Sequence, residues 1–173
     1  MGAGKSTAAR EVGAALGLEV LDADAVLEDR LGEPIEAFFD REGEAAFRAR
    51  EEQAVLELLG RGGGAAIALG GGALGSERVR EALCAHVAVL VEIGVDEAWE
   101  RAAGRGRPLA RDREAFAELY ARRAPVYEMA ARAVLPRGDR GVPARAASAL
   151  AALAGAPAGT RLLWARSASG EYP

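Results

Sequence analysis

Met1-Gly2-Ala3-Gly4-Lys5-Ser6-Thr7 opens the chain, and its reading decides the fold. Gly4-Lys5-Ser6 matches the end of a phosphate-binding loop of the form G-x-x-x-x-G-K-[ST]. Small residues there let backbone N–H groups crowd around phosphate oxygens. In that motif the lysine, here Lys5, reaches the β- and γ-phosphates, and the hydroxyl, here Ser6, takes a place on Mg²⁺. A helix starting near Lys5 adds the partial positive charge of its N-terminus. The motif's first glycine, and the buried strand before it, would stand upstream of Met1. The expectation is therefore that Met1 is internal to the loop and that the true chain begins about ten residues earlier. A start methionine followed by a flexible tip is the plainer alternative.

The 173 residues suit one α/β domain with a sizeable core. Hydrophobic residues make up 50% and charged residues 28%, the balance of an ordinary soluble globular protein. A formal net charge of −4 leaves no basic footprint, so nucleic acid is not expected as the main partner. The single cysteine, Cys84, excludes an internal disulfide and a cysteine-based metal cluster; it reads as a small apolar filler. No apolar run approaches the ~20 residues of a membrane span, and no signal peptide is visible, so a cytoplasmic protein is expected. Lys5 is the only lysine in an arginine-rich chain, which adds weight to its position.

Outward from the loop, residues 5–16 read as a helix with Val12, Ala15 and Leu16 on one face and Gly17 as its stop. Leu18-Glu19-Val20-Leu21 is a short strand ending in Asp22-Ala23-Asp24. Carboxylates at the C-terminal end of a strand stand where α/β sheets bind ligands, although a solvated turn or helix cap would use the same residues. Residues 25–31 look helical, Pro34 to Phe39 starts a second helix, and Gly43 opens a long run to Leu59. Arg48 within it has Glu44, Glu51 and Glu52 at pairing distance along the helix, so a solvated ion pair explains it without any ligand.

Ala65 to Leu69 is an apolar run of buried-strand length leading into Gly70-Gly71-Gly72. Three glycines allow close backbone approach to a ligand, or simply a flexible turn. Ser76 caps a helix to Leu83, and His86 is a boundary residue before the strand Val87 to Ile93. A helix from Asp96 to Ala103 runs into the basic, glycine-broken stretch Gly104-Arg105-Gly106-Arg107-Pro108-Leu109, which could close over phosphates or be a plain solvated loop. Residues 112–131 form a helix bent near Pro125, Ala133 to Pro136 an edge strand, and Pro143 to Ala154 a closing helix. The pattern is α/β, with a parallel sheet, helices on both faces and its first strand missing from this chain.

These signatures, in this order, resemble the shikimate kinase family of phosphate-loop, nucleoside-monophosphate-kinase-like proteins. The resemblance covers residues 1–154 and rests on the opening loop, Leu21 to Asp24, Ile35 to Phe39, Gly43 to Arg48 with Glu51, Gly70 to Gly72, Arg107 to Leu109, and Arg122 to Tyr127. It implies a three-layer α/β/α fold and phosphorylation of shikimate by ATP with Mg²⁺, a step toward aromatic amino acids. It also implies roles. Gly2, Ala3, Gly4, Lys5, Ser6 and Thr7 would hold the ATP phosphates, with Ser6 on Mg²⁺ and Asp22 supporting the metal through water. Asp24 would orient or deprotonate the attacking hydroxyl. Arg48 and Arg123 would clamp the shikimate carboxylate, and Gly70, Gly71 and Gly72 would offer backbone N–H groups. Residues 104–111 would form a lid carrying Arg107 to the transferring phosphate, with Arg101 against the adenine and Arg140 or Pro143 on its other side.

Residues 155–159 read as a linker. Thr160 to Pro173 begins like a strand, and Ser169-Gly170-Glu171-Tyr172-Pro173 is similar to the opening of 3-dehydroquinate synthase. A kinase–synthase fusion cut at both ends is the expectation that follows, and a disordered tail its alternative. Two other functions fit parts of the pattern. One is a kinase of the same fold acting on gluconate; the other is a degenerate kinase domain that only binds or packs.

Overall fold

The computed structural model describes residues 2–103, 112–136 and 141–155. Its elements run α1 (Lys5–Leu16), β1 (Glu19–Asp22), α2 (Ala23–Leu31), α3 (Ile35–Leu59), β2 (Ala65–Ala68), a 3-10 turn (Ala73–Gly75), α4 (Glu77–Leu83), β3 (Val89–Val91), α5 (Val95–Ala102), α6 (Arg113–Ala130), β4 (Ala133–Leu135) and α7 (Val142–Ala154). This is the expected alternation with small shifts in the ends. Glycines and short polar side chains set many of those ends. Gly17 and Gly32 close α1 and α2 in the left-handed region. Ser76 Oγ accepts from the Val79 N–H at 3.2 Å, and Asp112 Oδ1 accepts from the Ala115 N–H at 2.7 Å. Each satisfies an otherwise orphaned donor of a first helical turn.

β1 pairs in parallel with β2, from Glu19 opposite Ala65 to Asp22 opposite Ala68. Along β2 the pleat divides the residues. Ile67 and Leu69 pack with Val55, Leu58 and Val79 of α3 and α4. Ala66 turns the other way, toward Gly13 of α1. Helices therefore cover both faces, which gives the three layers. α1 also packs on α7, and the α7 core residues Val142, Ala146 and Leu150 meet Val89 and Val91 of β3. Two satellite clusters complete the interior. Leu27, Phe38, Phe47 and Ala54 join α2 to α3, and Ala98, Ala102 and Phe116 join α5 to α6.

Three expectations change. The buried face of α1 is Ala8, Ala9 and Gly13, with Ala15 exposed, because small residues let α1 lie close to the strands. Cys84 is exposed at the end of α4 rather than a core filler. Among the described residues the strands form two two-stranded parallel sheets, β1–β2 and β3–β4, rather than one continuous sheet. Between β2 and β3 lies an apolar cavity of about 1260 Å³, lined by Ala8, Val12, Ala66, Ala68, Val89 and Leu150 among others. Each of those two strands has a ladder partner on one side only among the described residues. No helix of the described residues is long and apolar enough to cross a membrane. The expected linker and second-domain opening lie outside the described residues, apart from Gly155.

Candidate active site

The site has two halves. The first is built at the start of α1. Gly4, in the left-handed region at φ 83°, turns the chain into the helix, and no side chain caps the first turn. A helix N-terminus favours an anion there. Ser6 Oγ donates to Asp22 Oδ2 at 2.5 Å, tying the loop to the end of β1. Asp22 serves a second purpose, since its Oδ1 accepts from the Asp24 N–H at 3.1 Å and caps α2. The helix-cap reading of Asp22 is thus realised in the structure. A hydroxyl and a carboxylate form a hard oxygen pair that fits Mg²⁺, which takes few protein ligands and keeps water and phosphate oxygens.

Arg101 comes to the same loop from α5. Its Nη1 donates to the Gly2 carbonyl at 3.3 Å, and it pairs with Glu97 one turn back. Ala3 and Lys5 are half-buried at the mouth of the intersheet cavity. Thr7 is exposed and accepts from Arg10 at 3.3 Å. Met1, Arg107 and Arg140 lie outside the described residues.

The second half gathers around Glu51, the one buried charged residue of the described core, 5% exposed. Arg48 Nη1 donates to Glu51 Oε2 at 2.6 Å, and Nη2 donates to Glu44 at 3.1 Å. The guanidinium also sits 4.9 Å from the Phe47 ring centroid, which fixes it from the side. Burial pushes the Glu51 carboxyl above its ordinary range. Arg48 opposes that push most, Asp24 adds to it, and Arg123 opposes it. Arg48 therefore answers both descriptions: it is ion-paired on its own helix, and it lines a cavity.

The glycines bring the loop after β2 into this cluster. A Cβ on Gly70 would lie 2.5 Å from Glu51 Oε1 and 2.8 Å from Asp24 Oδ1. A Cβ on Gly72 would lie 1.9 Å from Arg48 Nη1. Backbone and charged groups approach here as only glycine permits. From α6, Tyr127 donates its hydroxyl proton to the Gly71 carbonyl. Arg123, one turn earlier, interacts with both Tyr127 and Glu51. Arg48, Glu51, Gly71, Gly72, Arg123 and Tyr127 line a cavity of about 1010 Å³. The guanidinium groups of Arg48 and Arg123, which both line it, suit a carboxylate ligand.

Of the residues expected from sequence, Gly2, Ser6, Asp22 and Arg101 meet at the loop. Arg48, Gly71, Gly72 and Arg123 meet at the cavity, and Asp24 and Gly70 meet beside it at Glu51. In the sequence Glu51 reads only as a possible partner of Arg48 and a signature residue, and Tyr127 only as part of a signature. Glu51 stands three residues after Arg48, a spacing that signals the pair, but its burial depends on contacts from distant segments.

A phosphate-loop sequence beside an arginine-lined cavity suited to an acid fits one class: a small-molecule kinase on a phosphate-loop α/β fold. The family model described as "Shikimate kinase" matches residues 1–154. The shikimate kinase of Mycobacterium avium (strain 104) is 44% identical over 134 residues, covering 75% of this chain and 76% of that protein. That of Rhodococcus jostii (strain RHA1) is 39% identical over 155 residues, covering 87% and 91%. Among solved structures, shikimate kinase from Acinetobacter baumannii in complex with shikimate superposes with a TM-score of 0.76 at 31% identity, covering 88% of this chain and 87% of that one. The chain belongs to the shikimate kinase family.

Proposed function

We propose that this chain transfers the γ-phosphoryl group of ATP to a hydroxyl of shikimate, giving ADP and shikimate 3-phosphate on the way to aromatic amino acids. Family membership supports the reaction. One geometric observation carries the assignment of the residues: the short segment Asp22 to Asp24 touches both halves of the site. Asp22 holds the phosphate-loop hydroxyl of Ser6, and Asp24 stands against Gly70, beside Glu51. The nucleotide and the acceptor would therefore meet across two residues of chain.

Phosphoryl transfer asks for in-line positioning and charge neutralisation more than covalent help. Gly2, Ala3, Gly4 and Thr7 present the loop to the ATP phosphates, and Lys5 places its ammonium on the β- and γ-phosphates. Ser6 and Asp22 would hold Mg²⁺, Asp22 through water. Bound there, Mg²⁺ supplies positive charge to the phosphate oxygens. Arg48 and Arg123 hold the acceptor carboxylate, and the Gly70 to Gly72 backbone orients its ring. Asp24 accepts the hydroxyl proton as the new O–P bond forms. Arg101 and Arg140 are assigned to the adenine and Arg107 to the transferring phosphate; for Arg107 and Arg140 the family resemblance is the whole support. ATP as donor fits a cytoplasmic enzyme.

The test is a coupled ADP-release assay with ATP and Mg²⁺, given shikimate or gluconate as acceptor. Shikimate-dependent release is expected. Asp24→Asn should lower kcat about a hundred-fold or more with little change in KM for ATP, as for loss of a group acting on the reacting proton. ADP release that ignores shikimate, or that gluconate supports equally, would overturn the reading.

A further inference from the structure

We propose that Tyr127 is a positioning residue of the acceptor site: by holding the Gly71 carbonyl, its hydroxyl aims the Gly72 N–H at the acceptor. The inference rests on the acceptor reading given above. Its basis is the accounting of backbone groups in the loop after β2. Three peptide units follow one another there. The Gly70 carbonyl accepts from the Ala73 N–H at 3.2 Å, which fixes the unit between Gly70 and Gly71. The Gly72 carbonyl accepts from the Gly75 N–H at 2.8 Å, which fixes the unit between Gly72 and Ala73. The unit between them, Gly71 to Gly72, takes part in neither bond. Its carbonyl is held by Tyr127.

That middle unit is also the easiest to rotate. Glycine stands on both sides of it, and glycine populates positive and negative φ about equally. No peptide bond among the described residues is cis. In a planar trans unit the C=O and N–H point in opposite directions. Fixing the Gly71 oxygen on Tyr127 therefore turns the Gly72 N–H away from α6. Gly72 itself lies against the Arg48 guanidinium, on the wall of the arginine-lined cavity.

Tyr127 is suited to the task. Burial pushes its hydroxyl pKa up, so the group keeps the proton it donates. It stands one helical turn after Arg123, on the same face of α6. One rigid element thus sets both the clamp arginine and the direction of the backbone donor. Without the hydroxyl, rotation of the unit would replace the Gly72 N–H by the Gly71 carbonyl oxygen, which repels an anionic acceptor.

Tyr127→Phe removes the hydroxyl and keeps the ring. In the free protein, the Gly71 carbonyl ¹³C and Gly72 amide resonances should both move relative to wild type, with Tm nearly unchanged. In the assay, KM for shikimate should rise roughly three- to ten-fold, the loss of one neutral hydrogen bond, while KM for ATP stays constant. A purely structural role would move both KM values together. If the variant does not fold, wild type serves alone: shikimate should shift the Gly72 amide resonance more than that of Gly71. Unmoved Gly71 and Gly72 resonances in folded Tyr127→Phe, or equal changes in the two KM values, would overturn the proposal. If wild type shows no shikimate-dependent turnover, the acceptor reading fails instead, and the resonances of the free protein still decide whether Tyr127 sets the peptide.

Discussion

Arg48 meets two demands at once. It neutralises Glu51 on its own helix, and its remaining surface faces the cavity that suits an acid. Truncating it should therefore be read by kinetics rather than by stability alone, because it leaves Glu51 buried without its nearest partner. Arg48→Ala should raise KM for shikimate roughly ten- to hundred-fold, the loss of charge-assisted bonds, with KM for ATP nearly constant. Equal rises in both would remove Arg48 from the clamp. Glu51 makes a prediction about pH. Burial raises its folded-state pKa above the unfolded value of about 4.3. Between those two values the folded chain binds more protons than the unfolded one, so stability falls as pH rises through the window. The contribution is fully present below the unfolded pKa and lost above the raised folded one. Glu51→Gln cannot titrate. The stability of wild type relative to this variant should therefore decline from pH 4 toward neutrality in denaturant titrations, and a constant difference would show that Glu51 does not titrate upward.

Among the elements, α3 is the most informative. Its 25 residues run through Gly43, whose φ of 81° and ψ of 173° are not helical. That region is open almost only to glycine. The kink lets one half of α3 pack Phe38 against Leu27 of α2, while the other half carries Arg48 and Glu51 to the cavity. Space is not the limit, since a Cβ at Gly43 would meet nothing within 4 Å. Gly43→Ala should thus cost about 1–3 kcal/mol through backbone strain alone, read as a lower denaturation midpoint at unchanged slope. A neutral outcome would mean that α3 tolerates another bend. In the sequence Gly43 reads as the start of a helical run to Leu59, which is how a helix continued across a kink looks along the chain. Pro125, which reads in the sequence as a bend, instead lies inside an unbroken α6, although proline removes a helix donor wherever it stands.

Across the whole molecule, the two sheets and the cavity between them govern cooperativity. Strands paired on one side direct alternate N–H groups away from their partner. On β2 and β3 those groups face the intersheet cavity. Their amides should exchange with solvent deuterium faster than the ladder-bonded amides of the same strands, by about ten-fold or more if they open locally. Uniform protection along both strands would show that something covers those edges. The core beneath remains substantial, with Val55, Val79 and Leu135 almost fully buried. Slow exchange is therefore expected in the middle of α3 and α7 whatever the strand edges do.

The residues themselves determined the order of elements, the phosphate loop and the family. Each follows from local chemistry: the small residues and lysine of the loop, the apolar strand runs, the capping Ser76 and the helix-stopping Gly17 and Gly32. Which residues stand together was decided by the tertiary structure. Asp24, Arg48, Gly72 and Arg123 come from four separate segments. Only the packing of α2, α3 and α6 around the loop after β2 turns an ordinary i,i+3 ion pair into one wall of a site. The same packing buries Glu51 and puts Tyr127 on the Gly71 carbonyl, and Cys84 stays exposed at the end of α4. None of these follows from periodicity, because burial and hydrogen-bond partners depend on which distant segments fill the space around a side chain.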